Sequence, residues 1–264
     1  MSRRFLMCPP THFDVTYTIN PWMRPDVPVD QAAAIEQWEA LKRTYELLGH
    51  KVDLADPVEG LPDMVFAANA GTAIDRTYLP ARFRFEERRG EEAPYTRWFA
   101  DHGWSVVDGQ IPTNEGEGDL LQVGDLLLSG TGFRTETTAH SLAQEVFGLA
   151  SVELRLVDPR YYHLDTALAV LDERTVAYLP EAFTPGSRRV LERLFPTAIL
   201  ATAEDAAALA LNVVSDGVNV VLPTGAPRFE AALAGRGYLV HAVDMGELVK
   251  AGGAVKCCTL ELRV

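Results

Sequence analysis

The sequence predicts an α/β protein whose small mixed units close on themselves around a centre. Two observations predict it. The order hairpin, helix, strand recurs roughly every fifty residues without obvious identity between the copies, as in radial repeat architectures. No Pro/Ser/Gly-rich linker interrupts the 264 residues, so the units belong to one body rather than to separate domains. A closed arrangement fits this order better than one open parallel sheet, and loops at one end of the units would converge on a central site.

The elements follow in order. A short apolar run from Phe5 leads into Pro9-Pro10 and a polar loop, Thr11 to Asn20, which Asn20-Pro21-Trp22 closes as a turn. Asp30 caps a helix to about Leu48, with Ile35, Trp38, Leu41, Tyr45 and Leu48 at helical spacing and Gly49 at its end. Val52–Ala55 reads as a strand. So does the apolar run Asp63 to Ala70, which opens into a turn at Gly71, and Thr77–Leu79 follows. Arg82 to Gly90 is a mixed charge run, the usual pattern of a solvated face. A helix over about Glu91–His102 precedes a strand at Trp104–Val107.

Leu120–Val123 and Leu126–Ser129 form a hairpin about Gly124-Asp125, followed by a helix over Thr135–Phe147 and a strand at Val152–Val157. The hairpin Ala167–Leu171 and Val176–Leu179, a helix after Pro185 and a strand at Ala198–Ala201 make the next unit. Leu211–Val214 pairs with Val218–Leu222 about Asp216-Gly217. A helix over Pro227–Ala234 and a strand at Tyr238–Val243 follow, and the alternating tail Thr259 to Val264 reads as the last strand.

Composition bounds the function. At 47% hydrophobic and 23% charged the chain can bury a sizeable core. A formal charge of −13 argues against nucleic acid or an acidic membrane as partner and is compatible with a cationic small substrate. No apolar run approaches the ~20 residues of a membrane span, and the run after Arg3-Arg4 is too short for a secretory signal. Three cysteines, two of them adjacent, make no disulfide framework, which points to a reducing, cytoplasmic compartment. Cys8 and His12 lack a matching ligand pair at zinc spacing, so no metal is expected.

One stretch anchors the chemistry. Gly252-Gly253 opens toward Cys257-Cys258, placing a thiol at the mouth of the last strand. On spacing alone an apolar filler is the better reading of such a cysteine. The histidines change that balance. His50 and His102 stand at helix ends and read as surface residues; His140 and His241 read as packing. His163 differs: it lies between Tyr161-Tyr162 and Asp165, just before an apolar strand, and His-x-Asp on a strand puts both side chains on one face. A thiol, a histidine and several acids then share the strand mouths.

These pieces resemble the pentein superfamily of guanidine-modifying enzymes, which includes arginine deiminase, arginine dihydrolase, dimethylargininase and the amidinotransferases. The resemblance rests on Pro62-Asp63-Met64-Val65-Phe66, Glu87-Arg88-Arg89-Gly90-Glu91, Glu115-Gly116-Glu117-Gly118-Asp119, Phe133-Arg134-Thr135, His163-Leu164-Asp165-Thr166, and Gly252-Gly253 through Cys257-Cys258-Thr259. Each is weak alone, but together they span most of the chain in the family's order, closest to the dihydrolase-like branch. The resemblance implies a five-bladed pseudo-symmetric α/β propeller with a central active site, formed by residues 1–264 as a single catalytic domain. It implies a small cationic guanidino substrate, no cofactor and no metal, and it leaves homo-oligomerisation open.

It also implies roles. Cys257, which stands before an x-Thr pair, would attack the guanidinium carbon, leaving Cys258 as filler on the opposite side of the strand. His163 would protonate the leaving amine and then activate water. Glu115 would stabilise the cationic groups, with Glu117 as the alternative because the two straddle the expected position. Arg88 and Arg134 would clamp the substrate carboxylate. Asn69, where an acid is usual, would meet the guanidinium together with Asp165, and Asn20 and Phe66 would complete the substrate contacts.

The implied activity is hydrolysis of the guanidino C–N bond of arginine, to ornithine with ammonia and carbon dioxide, or to citrulline and ammonia, through a thiouronium intermediate. The alternatives are dimethylargininase and amidinotransferase chemistry. A catalytically silent propeller of the same fold would lack the Cys/His pair that His163 and Cys257 supply.

Overall fold

Five three-stranded sheets, each built as strand, strand, helix, strand, surround a common centre in the computed structural model, which describes residues 2–264. In each sheet the middle strand pairs antiparallel with one neighbour and parallel with the strand that returns after the helix. Gly71–Ile74, Thr77–Pro80 and Ser105–Val106 form one such sheet. Leu120–Val123, Leu126–Thr131 and Ala150–Arg155 form the next. Leu168–Val170, Val176–Tyr178 and Ile199–Leu200 form a third, and Val214–Ser215, Asn219–Pro223 and Leu239–Val243 a fourth. The remaining sheet takes strands from both ends of the chain. Leu260–Glu261 pairs antiparallel with Arg4–Met7, with Leu6 opposite Leu260, and Arg4–Met7 pairs parallel with Lys51–Leu54. That pairing closes the ring into the five-bladed propeller.

The helices pack on the outside of the blades for local reasons. Gln31–Leu47 starts where the Asp30 side chain accepts the Ala33 amide hydrogen at 3.0 Å. It buries Ala34, Trp38, Leu41 and Tyr45; Tyr45 meets Phe5 of the adjacent strand with ring centroids 4.7 Å apart. Ile35 was expected in that stripe but is 41% exposed, because Ala34 occupies the inward position. Each large apolar side chain buried this way contributes about 1.5–3 kcal/mol.

The structure departs from the sequence reading at several elements. Asp63 to Ala70 is not a strand but two 3₁₀ turns, Pro62–Val65 and Ala67–Ala70. Residues 62–70 are all buried, so the run is apolar for burial rather than for pairing. The tail after Thr259 contributes only Leu260–Glu261 to a sheet. Short helices at Ala203–Ala207 and Gly246–Val249 were not anticipated. His50 is buried against Phe5 and accepts the Arg3 amide hydrogen through Nδ1 at 3.1 Å, so it is no surface residue.

Candidate active site

Every blade enters its first strand through a tight turn at the ring's centre: Ala67–Ala70, Gly116–Gly118, Leu164–Ala167, residues 208–211 and residues 255–258. These turns hydrogen-bond to one another, as where the Ala68 amide donates to the Cys257 carbonyl at 3.0 Å and the Lys256 amide to the Asn212 carbonyl at 3.3 Å. Asn69, Glu117, Asp165, Asn212 and Cys257 therefore hold related places in the five units. The repeat is what gathers side chains so distant in sequence.

Cys257 is 2% exposed. Its thiol donates to Oδ2 of Asp165 at 3.3 Å and receives Nδ2–H of Asn212 at 3.1 Å. Asn212 also donates to the Asp165 carbonyl, and its Oδ1 accepts the amides of Ala254 and Cys257, so all four of its hydrogen-bonding positions are used. Burial raises the thiol well above its ordinary pKa, and the Asp165 charge adds to the effect. Burial likewise pushes Asp165 up to about 7, against the opposing Lys256 charge and the thiol's hydrogen bond. Cys258 is wholly buried in the core. The two cysteines sit in a turn, so the expected strand alternation between them does not apply.

His163 and Asp165 are not on a strand either. His163 caps the one-turn helix Leu164–Ala167, which contains Asp165. Nε2 of His163 lies 2.7 Å from Oε2 of Glu115, and Nη1 of Arg134 donates to the same oxygen at 2.8 Å. Burial alone would raise Glu115, but the Arg134 charge and the His163 hydrogen bond outweigh it and hold the carboxyl well below its ordinary value. An ionised Glu115 only accepts, so Nε2 carries the hydrogen. Nδ1 of His163 is buried without a partner.

Glu117 takes a different set of partners. Its oxygens receive Nζ of Lys256 at 2.6 Å, the Glu261 amide at 3.1 Å and the Arg263 guanidinium. Of the two glutamates, it is Glu115 that the structure places on His163.

Cys257, Asn69, Arg88, Arg134, Asn20 and Phe66 share one narrow cleft. Arg88 is fixed by both oxygens of Glu91 at 2.8 Å, by Oδ1 of Asn69 at 2.8 Å and by the Asp63 carbonyl at 3.1 Å. The expected solvated charge run therefore contains a buried ion pair, because Glu91 satisfies the guanidinium locally. Arg134 lies between the rings of Phe85 and Tyr162, 4.6 and 4.5 Å from their centroids. Beyond its bonds to Glu115 and the Ile19 carbonyl it keeps unused N–H groups. Asn20 borders the cleft, but its side chain is committed to backbone groups at Ala251, Trp22 and Met23. Gly118 is a close-approach position: a Cβ there would stand 2.5 Å from Nδ2 of Asn69 and 3.1 Å from Cγ of His163.

Three residues at the site have no role in the sequence reading, although Asp63 and Asp119 stand within its motifs. Asn212 holds the thiol; its signal was an amide inside an apolar run. Asp63 lines the cleft with Oδ1 unpartnered while Oδ2 accepts from Tyr17 at 2.9 Å. Asp119 accepts from Thr135 and from the Leu164 amide, fixing the turn that carries Asp165.

A five-bladed α/β ring with these residues at its centre defines the pentein class. No family model matches the sequence. The chain is 51% identical over 261 residues to the N(G),N(G)-dimethylarginine dimethylaminohydrolase of Mycobacterium tuberculosis, covering 99% of this chain and 86% of that protein. It is 39% identical over 269 residues to the bifunctional arginine dihydrolase/ornithine cyclodeaminase AgrE of Nostoc sp., covering 98% of this chain but only 38% of that longer protein. The substrate-bound structure of the N-terminal domain of ArgZ, an arginine dihydrolase of cyanobacteria, superposes with a TM-score of 0.95 at 37% identity, over 99% of this chain and 98% of that one. The chain belongs to this family of guanidino C–N hydrolases, which holds both the dimethylarginine dimethylaminohydrolases and the arginine dihydrolases. Among the described residues no helix is long and apolar enough to cross a membrane.

Proposed function

We propose that residues 1–264 form one catalytic unit that hydrolyses the guanidino group of arginine and carries it through to ornithine, ammonia and carbon dioxide. The observation that carries this reading is the Cys257 thiol, bonded to Asp165 and Asn212, in a cleft whose walls bear Asn69, Arg88 and Arg134. The sulfur attacks the guanidinium carbon. His163, with its Nε2–H held by Glu115, gives a proton from Nδ1 to the departing amine and later takes one from the attacking water. Glu115 stabilises the imidazolium in a site where burial leaves its charge unscreened. Arg134 offers spare N–H groups to the substrate carboxylate.

Asn69 supports the second hydrolysis. Its Oδ1 is taken by Arg88, while Nδ2 makes only a long 3.5 Å contact to the Glu115 carbonyl. That amide hydrogen is available to a ureido carbonyl, which needs a donor that a carboxylate cannot supply. A dimethylarginine substrate is the second reading, favoured by the relative at 51% identity. Against it, Asp165 suits an unsubstituted guanidinium: two methyl groups remove two donors and leave buried lone pairs unsatisfied, a cost of about 1–3 kcal/mol. Three free cysteines support a cytoplasmic setting. The test is turnover of arginine and dimethylarginine at matched concentrations, with ornithine, citrulline and dimethylamine all quantified. Ornithine from arginine is expected; dimethylamine release without arginine turnover would assign the chain to the second reading.

A further inference from the structure

Asn212 is wholly buried beside the Cys257 sulfur and stands off the wall of the substrate cleft. It follows a tight turn in which Leu209 takes a left-handed backbone, φ 52°, a conformation that a leucine adopts only where its surroundings impose it. The Asn212 backbone amide closes that turn on the Leu209 carbonyl at 2.9 Å. The orientation of the side chain is fixed by its partners. Oδ1 faces the backbone amides of Ala254 and Cys257, at 3.2 and 3.1 Å, and amides only donate. The NH₂ group therefore faces the sulfur at 3.1 Å and the Asp165 carbonyl at 3.2 Å. An aspartate would hold the two backbone amides more strongly but would turn a second acceptor toward the sulfur. What an amide adds in this place is a donor.

We propose that Asn212 is a catalytic residue whose Nδ2–H stabilises negative charge on the Cys257 sulfur, before attack and again when the sulfur leaves the guanidino carbon. The proposal rests on the reading of Cys257 as nucleophile. A neutral thiol is a weak acceptor and a thiolate a strong one, so the bond tightens as charge develops. That difference, rather than the bond itself, is what accelerates a step. The need is local. Asp165 sits on the sulfur at 3.3 Å, and its charge opposes ionisation as burial does. Asn212 counters both without moving, because its four bonds hold it in place before the reaction begins. In the departure step, water has added to the thiouronium carbon and His163 holds the first of its protons. The C–S bond then breaks with its pair going to sulfur. The remaining O–H pair becomes the carbonyl π bond, and that proton ends on the sulfur, restoring the thiol. Asn212 supplies a hydrogen bond throughout and transfers no proton.

Asn212→Asp is the test, because it keeps both backbone bonds and loses the donor. At pH 8 its kcat is expected to fall about 10- to 10²-fold, the effect of one hydrogen bond to a charged group. KM for arginine should stay within about threefold of the parent's, since Asn212 does not line the cleft. Alkylation of Cys257 by iodoacetamide, read by peptide mass spectrometry, should slow about tenfold or more at pH 8, with its inflection moved to higher pH. A merely structural role would instead loosen the turn and open the thiol, which speeds alkylation and leaves the inflection in place. Asn212→Ser, whose hydroxyl is too short to reach the sulfur, carries the same expectation should the first variant not fold. Unchanged kcat in a folded variant, or alkylation as fast as the parent's with the same inflection, overturns the proposal. A parent enzyme that turns over no guanidino substrate would instead be a failure of the functional reading. In that event the alkylation profile alone decides whether Asn212 stabilises the thiolate.

Discussion

Oε2 of Glu115 lies 2.7 Å from Nε2 of His163, both side chains wholly buried. The contact fixes the imidazole's tautomer and leaves Nδ1 without a hydrogen-bond partner. Forty-eight residues separate the two, yet they occupy matching places before the first strands of adjacent blades.

Glu115→Gln is expected to keep the ring's position but lose the charge, lowering kcat by about 10²–10⁴-fold. Glu117→Gln breaks a buried set of pairs with Lys256 and Arg263. Removing one partner of such a set costs about 3–5 kcal/mol, so its effect should appear in the melting temperature, with kcat of the folded fraction far less changed. Steady-state kinetics and thermal melts of both variants decide the matter. A reversed ranking in kcat would move the catalytic role to Glu117.

Cys257→Ser should abolish turnover, and Cys258→Ala should retain most of it. Only the former thiol reaches the cleft and bonds to Asp165 and Asn212; the latter packs in the core. Mass spectrometry after incubation with substrate should find the covalent adduct on Cys257 alone. An adduct on Cys258 would refute the assignment.

The blade architecture was legible because it is written locally. Asp30 as a cap, the Gly124-Asp125 hairpin and the helix after Pro185 each follow from nearest-neighbour chemistry. What the sequence hid was the inner ring. Asp63 to Ala70 reads as a strand, since apolar runs do not declare whether they are buried by pairing or by enclosure. The charge run around Arg88 reads as a solvated face, and what the sequence does not show is that Glu91 is the buried partner of Arg88. Asn212 bonds to Asp165 and Cys257, both more than forty residues away, and nothing in its own neighbourhood announces that.

Asp165 also makes a prediction about pH and stability. Its folded pKa, about 7, lies above the ordinary carboxyl value, so between those values the folded state holds a proton that the unfolded state has lost. Stability from this group is therefore fullest at low pH and falls as pH rises through about 7. Glu91, also pushed to about 7, and Asp119, to about 6, act with the same sign. Asp165→Asn removes one of these contributions. Its melting temperature should exceed the parent's at pH 8 and approach it at pH 4, with roughly 2–4 °C for each kcal/mol gained in a chain of this size. An equal shift at both pH values would show that the carboxyl is not held protonated by burial.

On the proposed two-step hydrolysis, Asn69 would set how far the reaction runs. The first hydrolysis presents a cation to the site, and an acid near the guanidinium would serve it as well as an amide. The second presents a neutral ureido group, whose carbonyl oxygen needs a hydrogen from the protein. Nδ2 of Asn69 has one, weakly engaged with the Glu115 carbonyl at 3.5 Å, and Oδ1 is anchored by Arg88 at 2.8 Å. Asn69→Asp would keep the Arg88 anchor in charge-assisted form, so the variant should fold. It would also turn a second carboxylate oxygen toward the place where Nδ2 stood. That oxygen repels both the Glu115 carbonyl and a ureido oxygen, and the neutral intermediate loses its only donor at this position. The expected outcome is arginine consumption within about tenfold of the parent, with citrulline accumulating instead of ornithine, a loss that matches one hydrogen bond of about 0.5–1.5 kcal/mol plus an unpaired buried acceptor. Amino-acid analysis of the products over time reads it directly. Ornithine formation at the parent's rate from Asn69→Asp would show that another group donates to the ureido oxygen and would remove Asn69 from the second step.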